Sequence, residues 1–430
     1  MKYVLAHATM FDGTSGEASL HEDVNIYIDG DKITAITHHE TPPEAGYVCI
    51  DLSGKYVLPG LINLHAHLFG TGKPSKALSG GGGAQTLIKI TKTALGARIL
   101  DSMVRSGAAN ELNSGVTTVR GVGDFHWSDV RLRDRINAGK IEGPRLLVSG
   151  PAITVPGGHG DGTFAVTAAE EEDLRALVRE HVRHKVDFIK ICVTGGVMDA
   201  KVKGEPGEVK MSLAQTKAVC DEAHDQGYYV ASHTESSEGV RIALEGGVDT
   251  VEHGAATTEE TLALYRQRGS ADICTISPAI PLAELDPSVT MMNDLTQYNA
   301  KIVSAGIIQS AKECLAAGVP VGLGTDASCP FVTHYDMWRE LCYFSKHVGV
   351  TPAFALHTAT LGNARIARIA DETGSIEVGK SADIIAVEVN PLEDLTALRS
   401  VSLVMARGVL IACPHIKRIA AVDSQLDTLL

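Results

Sequence analysis

Between residues 57 and 373, short apolar runs alternate with amphipathic stretches of helical period, and this alternation limits the fold more than any other feature. The stretch TAAEEEDLRALVREHVRHKV shows the helical half. Thr167 is the expected cap, acids crowd the first turn, and Leu174, Leu177, Val178 and Val182 recur at helical spacing. DFIKICV follows at once as a strand. A helix around 212–226, the strand YYVASH, a short helix around 237–245 and the strand VDTVEHG continue the series, and AKECLAAG later leads into VPVGLGTDAS. Strands joined by helices run parallel. About eight such units in about 300 residues predict an α/β chain built on a closed (β/α)8 TIM-like barrel over 57–373, rather than an open sheet.

Both chain ends read as short strands and turns. IDGDKI supplies an Asp-Gly hairpin turn near the start, and GSIEVGKSADIIAVEV and VSLVMARGVLIA repeat the character near the end. Residues 1–56 and 374–430 are therefore expected to form the two parts of one small β-sandwich. SGGGGA at 79–84 is expected in a loop after the first barrel strand.

The net charge of −14, with no clustered basic patch, excludes nucleic acid as a default partner. No apolar run reaches the length of a membrane span, and the first residues are too short an apolar patch for a secretion signal. The eight cysteines are scattered without CxxC spacing, as in a reducing cytoplasm.

In VLPGLINLHAHLFG, strand alternation places Leu61, Asn63, His65 and His67 on one face, with two imidazoles at the strand's C-terminal end. Active sites of such barrels lie at that end of the strands. The other strand ends carry Lys190, His233, His253 and Asp326, which parity groups with Phe188 and Cys192, with Ala231, with Val251, and with Gly322 and Gly324. Four histidines and a carboxylate at one mouth are a metal site by residue type. Lys190 either pairs with a nearby acid or, as a neutral amine, takes up carbon dioxide to become an anionic bridge between two cations. Two such cations would share and acidify a water while polarising a carbonyl, and Asp326 would ligate and carry the proton to the leaving nitrogen.

HAH after LPGLIN, Lys190 in FIKICVTGG, His233, His253 in VEHG and Asp326 in GTDAS together resemble the amidohydrolase superfamily, as does TGSIEVGKSADIIAV near the end. The lysine resembles that of the binuclear branch with a carboxylated lysine, and TTVRG, GGHGD and IKICVTGGV resemble the imidazolonepropionase-related group with its prolidase-like dipeptidases and carboxypeptidases. The resemblance implies two divalent metals, zinc foremost, with His65, His67, Lys190 (as N6-carboxylysine), His233, His253 and Asp326 as ligands. It also implies a homo-oligomer, and a hydrolase cleaving the C–N amide bond of a small peptide or N-acyl amino acid. Cyclic amides, carbamates, lactones and phosphoesters are the alternative substrates. Deamination at one metal, and a non-catalytic scaffold, are disfavoured by Lys190 and by the complete ligand set.

Three further residues are expected against the substrate. His159 in the PGGHGD loop could hydrogen-bond a carbonyl or carboxylate, and His334 in FVTHYDMW follows Asp326. Glu235 stands where dipeptidase-like relatives carry a tyrosine, and its charge would suit a cationic or neutral polar group. Tyr335 and Trp338 either line an apolar wall or start a helix, and His181 and His184 are expected at the surface.

Overall fold

The computed structural model describes residues 1–38, 46–74, 91 and 93–430, so the glycine-rich segment at 79–84 lies outside the described residues. The first strands are β1 (Lys2–Met10), β2 (His21–Asp29), β3 (Lys32–His38), β4 (Val48–Asp51) and β5 (Tyr56–Pro59). β2 and β3 form the expected hairpin, with Asp29 opposite Lys32. Its two turn residues are Gly30 and Asp31, and the φ of +63° at Gly30 is a conformation that favours glycine.

The next ten strands are β6 (Leu61–Ala66), β7 (Val116–Gly121), β8 (Arg145–Val148), β9 (Ala152–Thr154), β10 (Ala165–Thr167), β11 (Ile189–Cys192), β12 (Val230–Thr234), β13 (Thr250–His253), β14 (Ala271–Cys274) and β15 (Val321–Leu323). β6, β7 and β8 pair in parallel, and so do β9, β11, β12, β13, β14 and β15 in that order. β8 and β9 are two halves of one barrel strand, the first paired with β7 and the second with β11. The ring closes beyond β15, where the N–H groups of Thr325 and Asp326 donate to the His65 carbonyl at 3.1 and 2.7 Å and His67 donates to Ala327 at 3.0 Å. Eight parallel positions closed on themselves are the (β/α)8 barrel expected from the alternation. The 66-to-327 seam also joins the first and last of them directly.

The helices start and stop where their sequences permit. Ser212 and Thr258 form capping boxes ahead of Leu213–Asp225 and Glu259–Arg268, and Gly247 and Gly269 end two helices in the left-handed conformation. One cap differs from expectation. Thr167 belongs to β10, which pairs with β9, and the following helix, Glu171–Arg183, starts after Glu170. On that helix His181 is buried rather than exposed. Its ring nitrogens bond the Leu177 and Pro151 carbonyls at 2.7 Å each, and its ring meets Trp127 edge-on. Outward strand residues such as Val119, Ile189, Ile191 and Val251 share one core with Leu174, Val178, Val219 and Val240 of the helices.

Strands from the chain ends, including β16 (Ile384–Val387), β17 (Val401–Ala406) and β18 (Val409–Ile411), form one connected eight-stranded sheet. Its order is β18-β17-β16-β5-β1-β2-β3, with β4 also on β1, and it has a separate core of Leu5, Val24, Ile26, Val57, Ile384, Leu403 and Met405. β5 pairs with β16 and β1, so residues 57–59 belong to this sheet rather than to the barrel's first strand. The chain passes between the two at Gly60, where a Cβ would lie 2.2 Å from the Thr117 hydroxyl oxygen. Among the described residues no helix is long and apolar enough to cross a membrane.

Candidate active site

His65, His67, Lys190, His233, His253 and Asp326 are all buried and meet at the C-terminal ends of the barrel strands. His65 lies against His67 and His253 with ring centroids 5.9 and 4.7 Å away, and His233 lies 4.6 Å from His253. Their routes to this mouth differ. Lys190 and His233 sit on β11 and β12 in unbroken parallel register, each where alternation turns it inward.

His65 arrives by an irregularity. β6 pairs Asn63 with Val119 but Ala66 with Gly121, so β6 carries an extra residue between them. Asn63 consequently bonds Glu111 of the helix Ala94–Asn113, while His65 bonds Glu252 across the barrel. The single shared face expected for Leu61, Asn63, His65 and His67 is broken by this bulge. On β13 the inward residues are Thr250 and Glu252, which alternation would follow with an outward His253. His253 instead takes φ +71° and Gly254 φ +81°, which turns the imidazole into the mouth. A Cβ on Gly254 would fall 2.5 Å from an Asp272 carboxylate oxygen, so VEHG needs its glycine for space as well as conformation. Asp326 is likewise left-handed, at φ +57°. The parity groupings with Val251, Gly322 and Gly324 therefore do not describe how these two residues point.

Each histidine has one ring nitrogen engaged away from the centre. His65 Nδ1 donates to Glu252 at 2.7 Å and His67 Nδ1 to the Gly123 carbonyl at 2.7 Å. His253 Nδ1 is bonded to the Thr275 hydroxyl at 2.7 Å, and His233 Nε2 to the Gly195 carbonyl at 3.3 Å. The partners of His65, His67 and His233 can only accept, so the second nitrogen of each of these rings is left as a lone-pair donor. His253 presents Nε2 in the same way when Thr275 accepts from Nδ1. His65 Nε2 and His67 Nε2 both approach Asp326 Oδ1, at 3.5 and 3.4 Å. Burial drives the pKa values of His65, His233 and His253 well below the ordinary value, and that of His67 downward. Burial also lowers the Lys190 pKa. Two buried polar atoms here, Lys190 Nζ and Asp326 Oδ1, have no hydrogen-bond partner. Donor atoms of His65, His253 and Asp326, and separately of His233, Glu235 and His253, lie within 4.8 Å of one another and could hold metal ions.

Behind His65, Glu252 accepts two hydrogen bonds from Arg120 Nη2 at 2.7 and 2.8 Å and one from Thr250 at 2.6 Å, all fully buried. The strand residue Arg120 was legible as a charge inside an apolar run, but its partner across the barrel was not.

His159 reaches the mouth. Its ring stacks on His233 at 4.0 Å, and its Nδ1 is bound to Asp199, a residue absent from the sequence reading. Burial alone would depress the His159 pKa, but Asp199 more than offsets it and holds the ring above its ordinary value. Glu235 is half-buried beside it, with one oxygen accepting the Val197 N–H at 3.0 Å. Burial pushes its carboxyl up to about 8.

His334 is not at the mouth. It is buried, with Nε2 2.9 Å from the His67 carbonyl, and burial lowers its pKa to about 4. The substrate contact expected of it becomes a support for the His67 backbone. Trp338 and Tyr335 also lie away from the mouth. Trp338 is buried under the Arg339 and Arg399 guanidinium groups, and the Tyr335 hydroxyl accepts from Ile419. The apolar wall is made by residues no periodicity marks, Phe69, Phe125 and Phe164. These three half-buried rings come from separate segments, Phe125 from the short 3-10 helix Phe125–Trp127. Phe164 lies 4.9 Å and Phe69 5.4 Å from the His67 ring, and Phe69 meets Phe125 at 4.7 Å.

The sequence profile described as the amidohydrolase family matches residues 56–411. The chain belongs to the amidohydrolase family. Among its relatives, ochratoxinase of Aspergillus niger is 26% identical over 366 residues, covering 79% of this chain and 71% of that protein. Imidazolonepropionase of Alkaliphilus metalliredigens is 26% identical over 431 residues, covering 92% of each. Two solved structures are similar throughout. One, a Bifidobacterium longum protein described as a candidate prolidase, has a TM-score of 0.87 and 38% identity, covering 99% of this chain and 98% of that one. The other, a Xaa-Pro dipeptidase with methionine bound in its active site, has a TM-score of 0.84 and 31% identity, covering 96% and 100%. This amidohydrolase is a hydrolase acting on carbon–nitrogen amide bonds, and its family acts on small-molecule substrates and generally uses divalent metals.

Proposed function

We propose that this amidohydrolase is a two-metal, zinc-dependent enzyme that cleaves the amide bond of a small peptide or N-acyl amino acid. The observation that carries the reading is the convergence of ring nitrogens. Each of the four histidines spends one nitrogen on a partner outside the centre, and His65 and His67 aim the other at Oδ1 of Asp326, which has no hydrogen-bond partner. A buried carboxylate oxygen and a buried amine left without partners are costly unless a cation and a carbamate complete them. In this reading His65, His67 and Asp326 would hold one ion, His233 and His253 would hold the other, and Lys190, carboxylated on Nζ, would serve as a shared ligand.

Bound there, the ions would polarise the scissile carbonyl and lower the pKa of the attacking water. The chain's own residues do the rest. Asp326 takes the proton of the attacking water and delivers it to the leaving nitrogen. Asp199 fixes the His159 tautomer, so Nε2 faces the substrate and can hydrogen-bond its carbonyl or carboxylate. Phe69, Phe125 and Phe164 pack the apolar part of the substrate and keep bulk water from His67. The sheet of the two chain ends, with its own core, is the small sandwich of this reading, formed from residues 1–59 and 374–430, so that the junction expected at 57 falls at Gly60. Eight unpaired cysteines suit a reducing, cytoplasmic setting, and a homo-oligomer belongs to the same reading.

Elemental analysis of protein produced with zinc and bicarbonate tests the proposal. About two metals per chain, with turnover of N-acyl amino acids or dipeptides that a chelator abolishes, is the expected result. One metal or fewer after reconstitution would overturn it.

A further inference from the structure

Glu235 was expected against the substrate, yet its surroundings fit another task. It follows His233 by two residues, and the backbone there is held rigidly. The Glu235 N–H donates to the Thr194 hydroxyl at 3.0 Å. Gly207 packs so closely that a Cβ on it would meet the Glu235 carbonyl oxygen at 2.4 Å. The side chain is aimed as well, because Oε2 accepts the Val197 N–H. That leaves Oε1 and the remaining lone pairs for a partner. Among the described residues no lysine, arginine or histidine forms an ion pair with Glu235, and His159 is committed to Asp199. The donors within reach are those of His233 and His253, whose ligating atoms and a Glu235 oxygen all lie within 4.8 Å of one another.

We infer that Glu235 is a carboxylate ligand of the divalent cation held by His233 and His253. The inference rests on the two-metal reading and adds a donor to it. Charge points the same way. Two divalent ions bring four positive charges into a mouth where Asp326 and a carbamate on Lys190 return only two, and Glu235 supplies a third negative group on the side of the His233 ion. A neutral imidazole pair is a modest site for a hard or borderline dication, and an oxygen donor strengthens it. Because the carboxylate comes from a pinned backbone, it occupies a coordination position that an incoming substrate group has to share or displace. Glu235 thus tunes both retention of that ion and access to it.

The test titrates the metal-free protein with zinc chloride against a chromogenic chelator, and with cobalt(II) followed by its visible absorption, using wild type, Glu235→Gln, Glu235→Ala and Glu235→Asp. Thermal melting of the metal-free forms checks folding. Wild type should bind two equivalents. In Glu235→Gln and Glu235→Ala the first equivalent should be unchanged, and the second should weaken by about tenfold or more with an altered cobalt band. Glu235→Asp, which keeps a carboxylate, should recover part of that loss. If Gln and Ala variants that melt like wild type bind both equivalents as wild type does, the inference is overturned, whatever happens to KM. If wild type itself binds fewer than two, the two-metal reading fails first, and the titration reports that separately. Should the Gln variant not fold, the Ala and Asp pair decides by the same criterion.

Discussion

β11 and β12 bring Lys190 and His233 into the mouth by plain alternation, whereas β6, β13 and the segment after β15 bring His65, His253 and Asp326 there only by breaking it. In the first pair the backbone is in regular register and the side chain alone is specialised. In the second group a bulge and two left-handed residues do the placing. Non-glycine residues at positive φ each cost about 1–3 kcal/mol and persist only where their surroundings enforce them. Here the enforcement comes from Gly254, from the Thr275 hydroxyl on His253, and from the seam at the His65 carbonyl. The lesson is that regular strands carry chemistry that can be removed without harm to the fold, while irregular ones tie chemistry and fold together.

The largest expected effect belongs to the regular side. Lys190→Met keeps volume and apolar packing but removes the amine. Turnover should fall by about a thousandfold or more, while the melting temperature holds or rises, since a buried amine without a partner is replaced by a methyl thioether. Steady-state kinetics and calorimetry on one preparation check both halves. A variant that melts much lower would place Lys190 with the irregular group.

On the irregular side, Gly324→Ala should lose stability and activity together. The added Cβ would sit 2.4 Å from His65 Cβ and 2.6 Å from its backbone nitrogen, so the seam must open to admit it. A loss of about 1–3 kcal/mol in denaturant unfolding is expected, along with weaker metal retention. Activity lost at unchanged stability would contradict the coupling.

The smallest effect sharpens the comparison from a regular strand that supplies no ligand. Asp272 on β14 is buried, accepts from Tyr265 and Ser310, and has its pKa raised by burial to about 7. The folded protein keeps this proton at pH values where the unfolded chain has shed it. Stability therefore falls as pH rises from about 4 to about 7 and levels off above. Asp272→Asn should flatten that part of the profile and gain about 1–3 kcal/mol at pH 8, with kcat unchanged. Equal pH slopes in the two proteins would mean that Asp272 ionises freely.

The same division explains what could be read from the amino-acid order. Periods of two and 3.6 locate the barrel, the end strands and the inward direction of Lys190, because those depend on local alternation. The mouth residues themselves were recognisable by type and by their place after apolar runs. Their orientation was not, because a bulge at 63–66 and a positive φ at His253 leave no trace in hydrophobic pattern. Contacts between distant loops were equally hidden. Phe69, Phe125 and Phe164 meet only in the fold, Asp199 finds His159 across forty residues, and His334 and His181 look like candidates for solvent or substrate until burial claims them.

The seam at His65 has one further consequence. A single carbonyl accepts from both Thr325 and Asp326, at the place where the first barrel strand meets the segment after the last and where three proposed ligands, His65, His67 and Asp326, converge. On the two-metal reading, opening the ring and emptying the centre would be one motion seen from two sides. Amide protons of residues 61–66 and 321–327 should be the ones whose exchange with solvent quickens first when the ions are withdrawn. The enzyme would report its own metal status through the breathing of its barrel.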